Sequence, residues 1–150
     1  MIHTGIPTRK RRAEPEFLMQ SALFDWARLP VVQKTLPGID LLEGSMNGVK
    51  LTAAQAGKAK AAGMLKGAHD VTLPVARGPY IGLSIELKAG KNKPTEDQLA
   101  YGERLVREGW KVEYVWDDWT KVKAIIIGYL SQDTICRALD GSISKPLERS

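Results

Sequence analysis

The chain has 150 residues, with 22 Lys and Arg against 17 Asp and Glu and a net charge of +5. That length suits one domain with a proper core, and the ordinary apolar and charged fractions exclude wholesale disorder. The positive balance favours a polyanionic partner such as nucleic acid without requiring one. Cys136 is the only cysteine, which excludes an internal disulfide and any Cys-based zinc cluster. The N-terminal stretch is polar and then basic, with no apolar run behind the charges, so it does not read as a secretory signal. The most apolar run, Ala124 to Ile127, is far too short to span a bilayer. A reducing intracellular compartment and no membrane partner are the expectation.

Residues 1–13 carry Arg9-Lys10-Arg11-Arg12 among Thr, Gly and Pro and read as a basic arm able to grip phosphates, or as a solvated tail. The domain proper is expected over 14–139, with a loose tail over 140–150. Residues 14–28 read as the first helix, with Pro15 at its first position and an apolar surface of Phe17, Leu18, Leu23, Phe24 and Trp26. Residues 30–51 read as irregular, with turn signals at Pro37-Gly38 and Asn47-Gly48. Thr52 caps a short Ala-rich helix over 53–62, whose Lys58 and Lys60 should face water or a ligand.

Residues 70–76 and 80–88 both read as strands, and Arg77-Gly78-Pro79 between them as the turn of an antiparallel hairpin. Pro74 makes the first strand an edge, or bulged at that point. Thr95 caps a helix running to about Glu108, closed by Gly109, followed by a strand over Lys111–Trp116 and a helix from Asp118 to Leu130. The order predicts an α/β fold: a mixed sheet with helices on its faces and a parallel crossover from the second strand to the third.

Glu86 and Lys88 lie two apart in a strand and share one face, opposite Ile85 and Leu87. Taken alone such a pair is common on solvated sheet surfaces and worth little. A hairpin turn centred on Gly78 changes its meaning, because it sets Asp70 opposite Glu86. Opposed side chains on one face have Cβ atoms about 4.5–5.5 Å apart, where two carboxylates repel unless a divalent cation such as Mg²⁺ lies between them. A one-residue slip would send Asp70 to the other face. A cation on Asp70, Glu86 and the Leu87 carbonyl, with Lys88 alongside, forms a set suited to phosphodiester hydrolysis.

Two more residues have double readings. Glu16 either complements the dipole of the first helix or points inward toward the sheet. Gln98, three residues after Thr95, either completes a capping box or reaches the Glu86 strand. Gly90-Lys91 is not a phosphate loop, since Ile85 stands where the first Gly belongs and Asn92 follows the lysine. Trp110, Trp116 and Trp119 could stack on bases, but beside a strand and a helix start they read rather as core or rim packing.

The ordered runs Gly67-Ala68-His69-Asp70, Ile85-Glu86-Leu87-Lys88, Thr95-Glu96-Asp97-Gln98 and Gly109-Trp110-Lys111-Val112 resemble the VRR-NUC family of the PD-(D/E)xK nuclease superfamily. Glu16 with Gln20, and Asn47-Gly48, fit the same pattern, so the resemblance covers roughly residues 14–130. It implies a restriction-endonuclease-like core and Mg²⁺- or Mn²⁺-dependent cleavage of DNA. Asp70 and Glu86 would hold metal with the Leu87 carbonyl, Lys88 would be the catalytic lysine, Glu16 would help bind metal or its water shell, and Gln98 would support the site. Stand-alone members of this size resemble structure-selective DNA repair endonucleases of phage and bacteria, acting on branched DNA such as four-way junctions or flaps, often as homodimers. That implies the cytoplasm of a bacterium or a phage-infected host. The usual Pro before the metal-binding Asp is His69 here, which is expected to be a packed or solvent-facing histidine. A sequence-specific restriction-type nuclease and an inactive DNA-binding module are the other readings. Retention of both carboxylates and the lysine argues against the second.

Overall fold

A computed structural model describes residues 15–47 and 50–133. The expected arm over 1–13, the tail over 140–150 and Cys136 lie outside them. The elements run α1 (Pro15–Ala27), α2 (Pro30–Thr35), a 3₁₀ turn (Ile39–Leu41), β1 (Glu43–Gly44), α3 (Ala53–Ala61), β2 (Val71–Leu73), β3 (Gly82–Lys88), α4 (Glu96–Arg107), β4 (Trp110–Trp116) and α5 (Trp119–Leu130). One mixed sheet runs in the order β1-β2-β3-β4. β1 and β2 are antiparallel, as are β2 and β3, whereas β3 and β4 are parallel across α4. The expected α/β architecture holds.

Residues 30–44 are not irregular. Pro30 opens α2 as its first residue rather than merely ending α1, and β1 adds a short edge to the sheet. β2 is shorter than the expected 70–76, and Pro74 is the reason. Val71 pairs with Ile85, Thr72 with Ser84 and Leu73 with Leu83, the register that sets Asp70 opposite Glu86 one step further on. The turn itself pairs Arg77 with Tyr80, one residue out of that register. The extra residue is taken up at Pro74–Ala76, where Val75 N–H bonds back to the Leu73 carbonyl at 2.9 Å. The first hairpin strand is therefore bulged at its proline. It is not an edge, since β1 flanks it.

All seven residues of β3 are buried, but its two faces differ. Leu83, Ile85 and Leu87 join Met19, Leu23 and Trp26 of α1 and Val122, Ile126 and Tyr129 of α5 in the apolar core. The opposite face carries Ser84, Glu86 and Lys88 and is covered by α4, whose one buried residue is Gly102. A Cβ at Gly102 would overlap the Tyr114 hydroxyl and approach His69 Cε1 at 3.1 Å. The glycine lets α4 lie close on a polar layer. No helix among the described residues is long and apolar enough to cross a membrane.

Gly102→Ala should therefore destabilise the fold by about 1–3 kcal/mol through overpacking, read as a lower thermal midpoint.

Candidate active site

The site forms where β2 begins and β3 ends. Strand alternation aims Glu86 and Lys88 under the first turn of α4, and both are almost fully buried, at 1% and 6% exposure. Lys88 Nζ lies 2.6 Å from Glu86 Oε1. The Gln98 side-chain amide donates to the same oxygen. Asp70, 8% exposed, accepts from the Leu87 N–H at 2.9 Å through Oδ2. A residue's N–H and C=O point the same way along a strand, so the Leu87 carbonyl faces the Asp70 side as well.

Gln98 unites its two readings. Its Oε1 accepts from Thr95 N at 2.8 Å while Thr95 Oγ1 accepts from Gln98 N at 3.2 Å, a complete capping box, and its Nε2 still reaches Glu86. Glu16 also points inward: Oε1 accepts from Ala89 N and from Asn92 Nδ2, each at 3.2 Å. It thus holds the chain just beyond Lys88 and adds to the negative potential felt by Asp70.

Burial, and then the neighbouring Asp70, push the Glu86 carboxyl up to about 7, against the opposing pull of Lys88. Burial likewise raises Asp70, with the Leu87 N–H and Lys88 opposing and Glu16 reinforcing. Glu86 Oε2 is buried with no hydrogen-bond partner. An acceptor-only oxygen in that position, beside a second buried carboxylate, is what a divalent cation would satisfy. The donor set fits a hard cation. Among the described residues no cluster of three or more His, Cys, Asp and Glu gathers at one point, so the protein would offer two carboxylates and a carbonyl. The remaining positions would fall to water and substrate oxygens, the habit of Mg²⁺.

His69 is a packed histidine, 1% exposed, with both ring nitrogens engaged. Nε2 lies 3.0 Å from the Gln98 carbonyl, which can only accept, so Nε2 carries the proton. Nδ1 then accepts from the Ser84 hydroxyl at 2.8 Å. Tyr101 and Tyr114 meet the ring edge-on, and burial lowers its pKa. Trp110 packs over Gly82 and Trp119 against the core, whereas Trp116 is 37% exposed and donates to the Asn92 carbonyl at 2.9 Å.

Three residues support the cluster, and of these only Asn47 stands out in the sequence, as a turn signal. Asn47 Nδ2 donates to the Ala68 carbonyl at 2.8 Å and the Leu65 carbonyl at 3.2 Å, anchoring the approach to Asp70. Ser84 fixes the His69 ring. Asp117, with φ +58, donates its N–H to the Lys88 carbonyl at 3.0 Å and accepts from Gly90 N at 2.7 Å. It locks the end of β3 to the loop that follows.

Neither a protein-family model nor a curated protein matches this sequence. Among solved structures the chain is similar to one described as a VRR_NUC domain protein, at 26% identity and a TM-score of 0.64. The match covers 82% of this chain and 93% of that one. It bears out the family resemblance read from the ordered motifs, and with it the restriction-endonuclease-like fold.

A carboxyl raised from 4.5 to about 7 binds more protons folded than unfolded, so its contribution to stability is lost as pH rises through that window. Metal-free protein should therefore melt at lower temperature at pH 7.5 than at pH 5, and Glu86→Gln should flatten that dependence. A slope unchanged in the variant would contradict the assignment.

Proposed function

We propose, from the premise that this is a VRR-NUC protein, that it is a metal-dependent endonuclease hydrolysing DNA phosphodiester bonds, selective for branched DNA such as four-way junctions or flaps. The observation that carries the reading is the convergence of Asp70, Glu86 and Lys88 in one buried cluster with an unpartnered carboxylate oxygen. Mg²⁺ or Mn²⁺ held by Asp70, Glu86 and the Leu87 carbonyl supplies Lewis acidity toward the phosphate and acidifies a water. Glu16, whose charge is felt at Asp70, would help hold that cation or its water shell.

The chain's own groups do the positioning. The Leu87 N–H fixes one Asp70 oxygen and leaves the other for metal. Gln98 and Lys88 both hold Glu86 Oε1, which leaves Oε2 free of protein contacts and able to bind the cation. The Lys88 ammonium lies where it can orient the attacking water and offset charge developing on the phosphate. A homodimer suits a junction substrate, because two-fold symmetry presents two sites to paired strands.

Purified protein should cut DNA with Mg²⁺ or Mn²⁺ and not with EDTA. Asp70→Ala, Glu86→Ala and Lys88→Ala should each reduce cleavage by about 100-fold or more while leaving the circular dichroism spectrum folded. Full activity in Lys88→Ala would sink the mechanism. On a panel of linear, flapped and four-way-junction DNAs, branched substrates should be cut fastest. Equal cutting of all would refute structure selectivity, and cutting at one sequence alone would favour a restriction-type enzyme.

A further inference from the structure

Between Lys50 and Lys66 the chain carries Lys50, Lys58, Lys60 and Lys66 and no Asp or Glu. Its middle is α3, and none of that helix's nine residues is buried. A helix this short is marginal on its own in water. It is held by the Thr52–Gln55 capping box and by anchors at its base. There Asn47 grips the Leu65 and Ala68 carbonyls, and Lys66 pairs with Asp97 of α4 at 2.8 Å. Gly67, at φ +83, lies so close to α4 that a Cβ would sit 2.6 Å from the Asp97 carbonyl oxygen. The helix is thus an exposed arm, and the loop that follows it is anchored at Leu65 to Ala68 before the chain enters the sheet at Asp70.

The arm has a defined outer surface. Within α3 only Ala59 is partly covered, which sets the inner side. At about 100° per residue the opposite side falls on Ala53, Ala54, Gly57 and Ala61, all exposed, with Lys58 on one flank and Lys60 on the other. The side chains of Lys58 and Lys60 form no ion pair or hydrogen bond among the described residues. Gly57 costs helix stability, yet a Cβ there would meet nothing within 4 Å, so no packing among the described residues calls for it.

We propose that α3 is the arm that lies along the phosphate backbone of duplex DNA beside the cleaved bond, Lys58 and Lys60 each meeting a phosphate across the flat Ala/Gly surface. The run of lysines without an acid favours a polyanion as partner, and the anchored loop from α3 to Asp70 joins the arm to the cluster that would cut it. The inference rests on the nuclease reading and adds the surface that holds the substrate.

The test compares wild type, Lys58→Ala/Lys60→Ala and the control Lys34→Ala/Arg107→Ala for binding to a fluorescein-labelled duplex in EDTA across a salt titration. Lys34 and Arg107 are exposed and lie on the end of the fold away from Lys88. The arm variant should bind about tenfold more weakly, with the slope of log K against log salt reduced by nearly 2, at ~0.9 per phosphate contact. The control, which removes the same charge, should retain wild-type affinity and slope. An arm variant that matches wild type, or a control that loses as much as the arm variant, overturns the proposal. Failure of wild type either to bind or to cut DNA with both metals would instead overturn the nuclease reading on which it stands.

Discussion

The site depends on a single extra residue in the β2–β3 hairpin. The tight turn, taken alone, pairs Arg77 with Tyr80, and that register continued would put Asp70 across from Leu87, whose side chain faces the apolar core. The bulge at Pro74–Ala76 shifts the pairing by one, and the strand enters the register in which Val71 meets Ile85. Because strand side chains alternate, that shift carries Asp70 from the core face to the Glu86 face. Proline, which has no N–H to give the ladder, is the residue type suited to the place where the ladder breaks.

The two faces of β3 then solve different problems. Against α1 and α5 the sheet buries aliphatic side chains, and the driving force is removal of apolar surface from water. Beneath α4 it buries Ser84, Glu86, Lys88 and His69, groups that are costly to bury unless paired. Nearly all are paired: His69 with Ser84 and the Gln98 carbonyl, Glu86 with Lys88 and Gln98. The exception is Glu86 Oε2. Among the described residues it is the one buried side-chain nitrogen or oxygen left with no partner at all.

Much of this could be read in the chain. Alternation in 80–88 and the Thr95-x-x-Gln98 box gave the second hairpin strand and the start of α4 to within two residues, whereas the register came out right through two offsets that cancel: the turn pairs Arg77 with Tyr80 instead of centring on Gly78, and the bulge at Pro74–Ala76 restores the shift. Alternation and box are local signals with a short period. What escaped reading was of two kinds. α2 and β1 are too short to build a pattern, and Pro30 reads as readily for a stop as for a start. Asn47 and Asp117 act through backbone groups distant in sequence, and the positive φ of Asp117 leaves no mark on residue type. His69, readable as packed or solvent-facing, is packed, and the partners that fix its ring, the Ser84 hydroxyl on β3 and the Gln98 carbonyl on α4, are too distant in sequence to be read from it.

Gln98 carries a consequence for motion. One carboxamide closes the first turn of α4 through its oxygen and holds Glu86 through its nitrogen. Fraying, the commonest small-scale opening of any helix end, here also withdraws one of the two partners of Glu86 Oε1 and leaves Lys88 as the other. Helix order and carboxylate aim are coupled through that one amide: while the first turn is open, Glu86 is held from one side only.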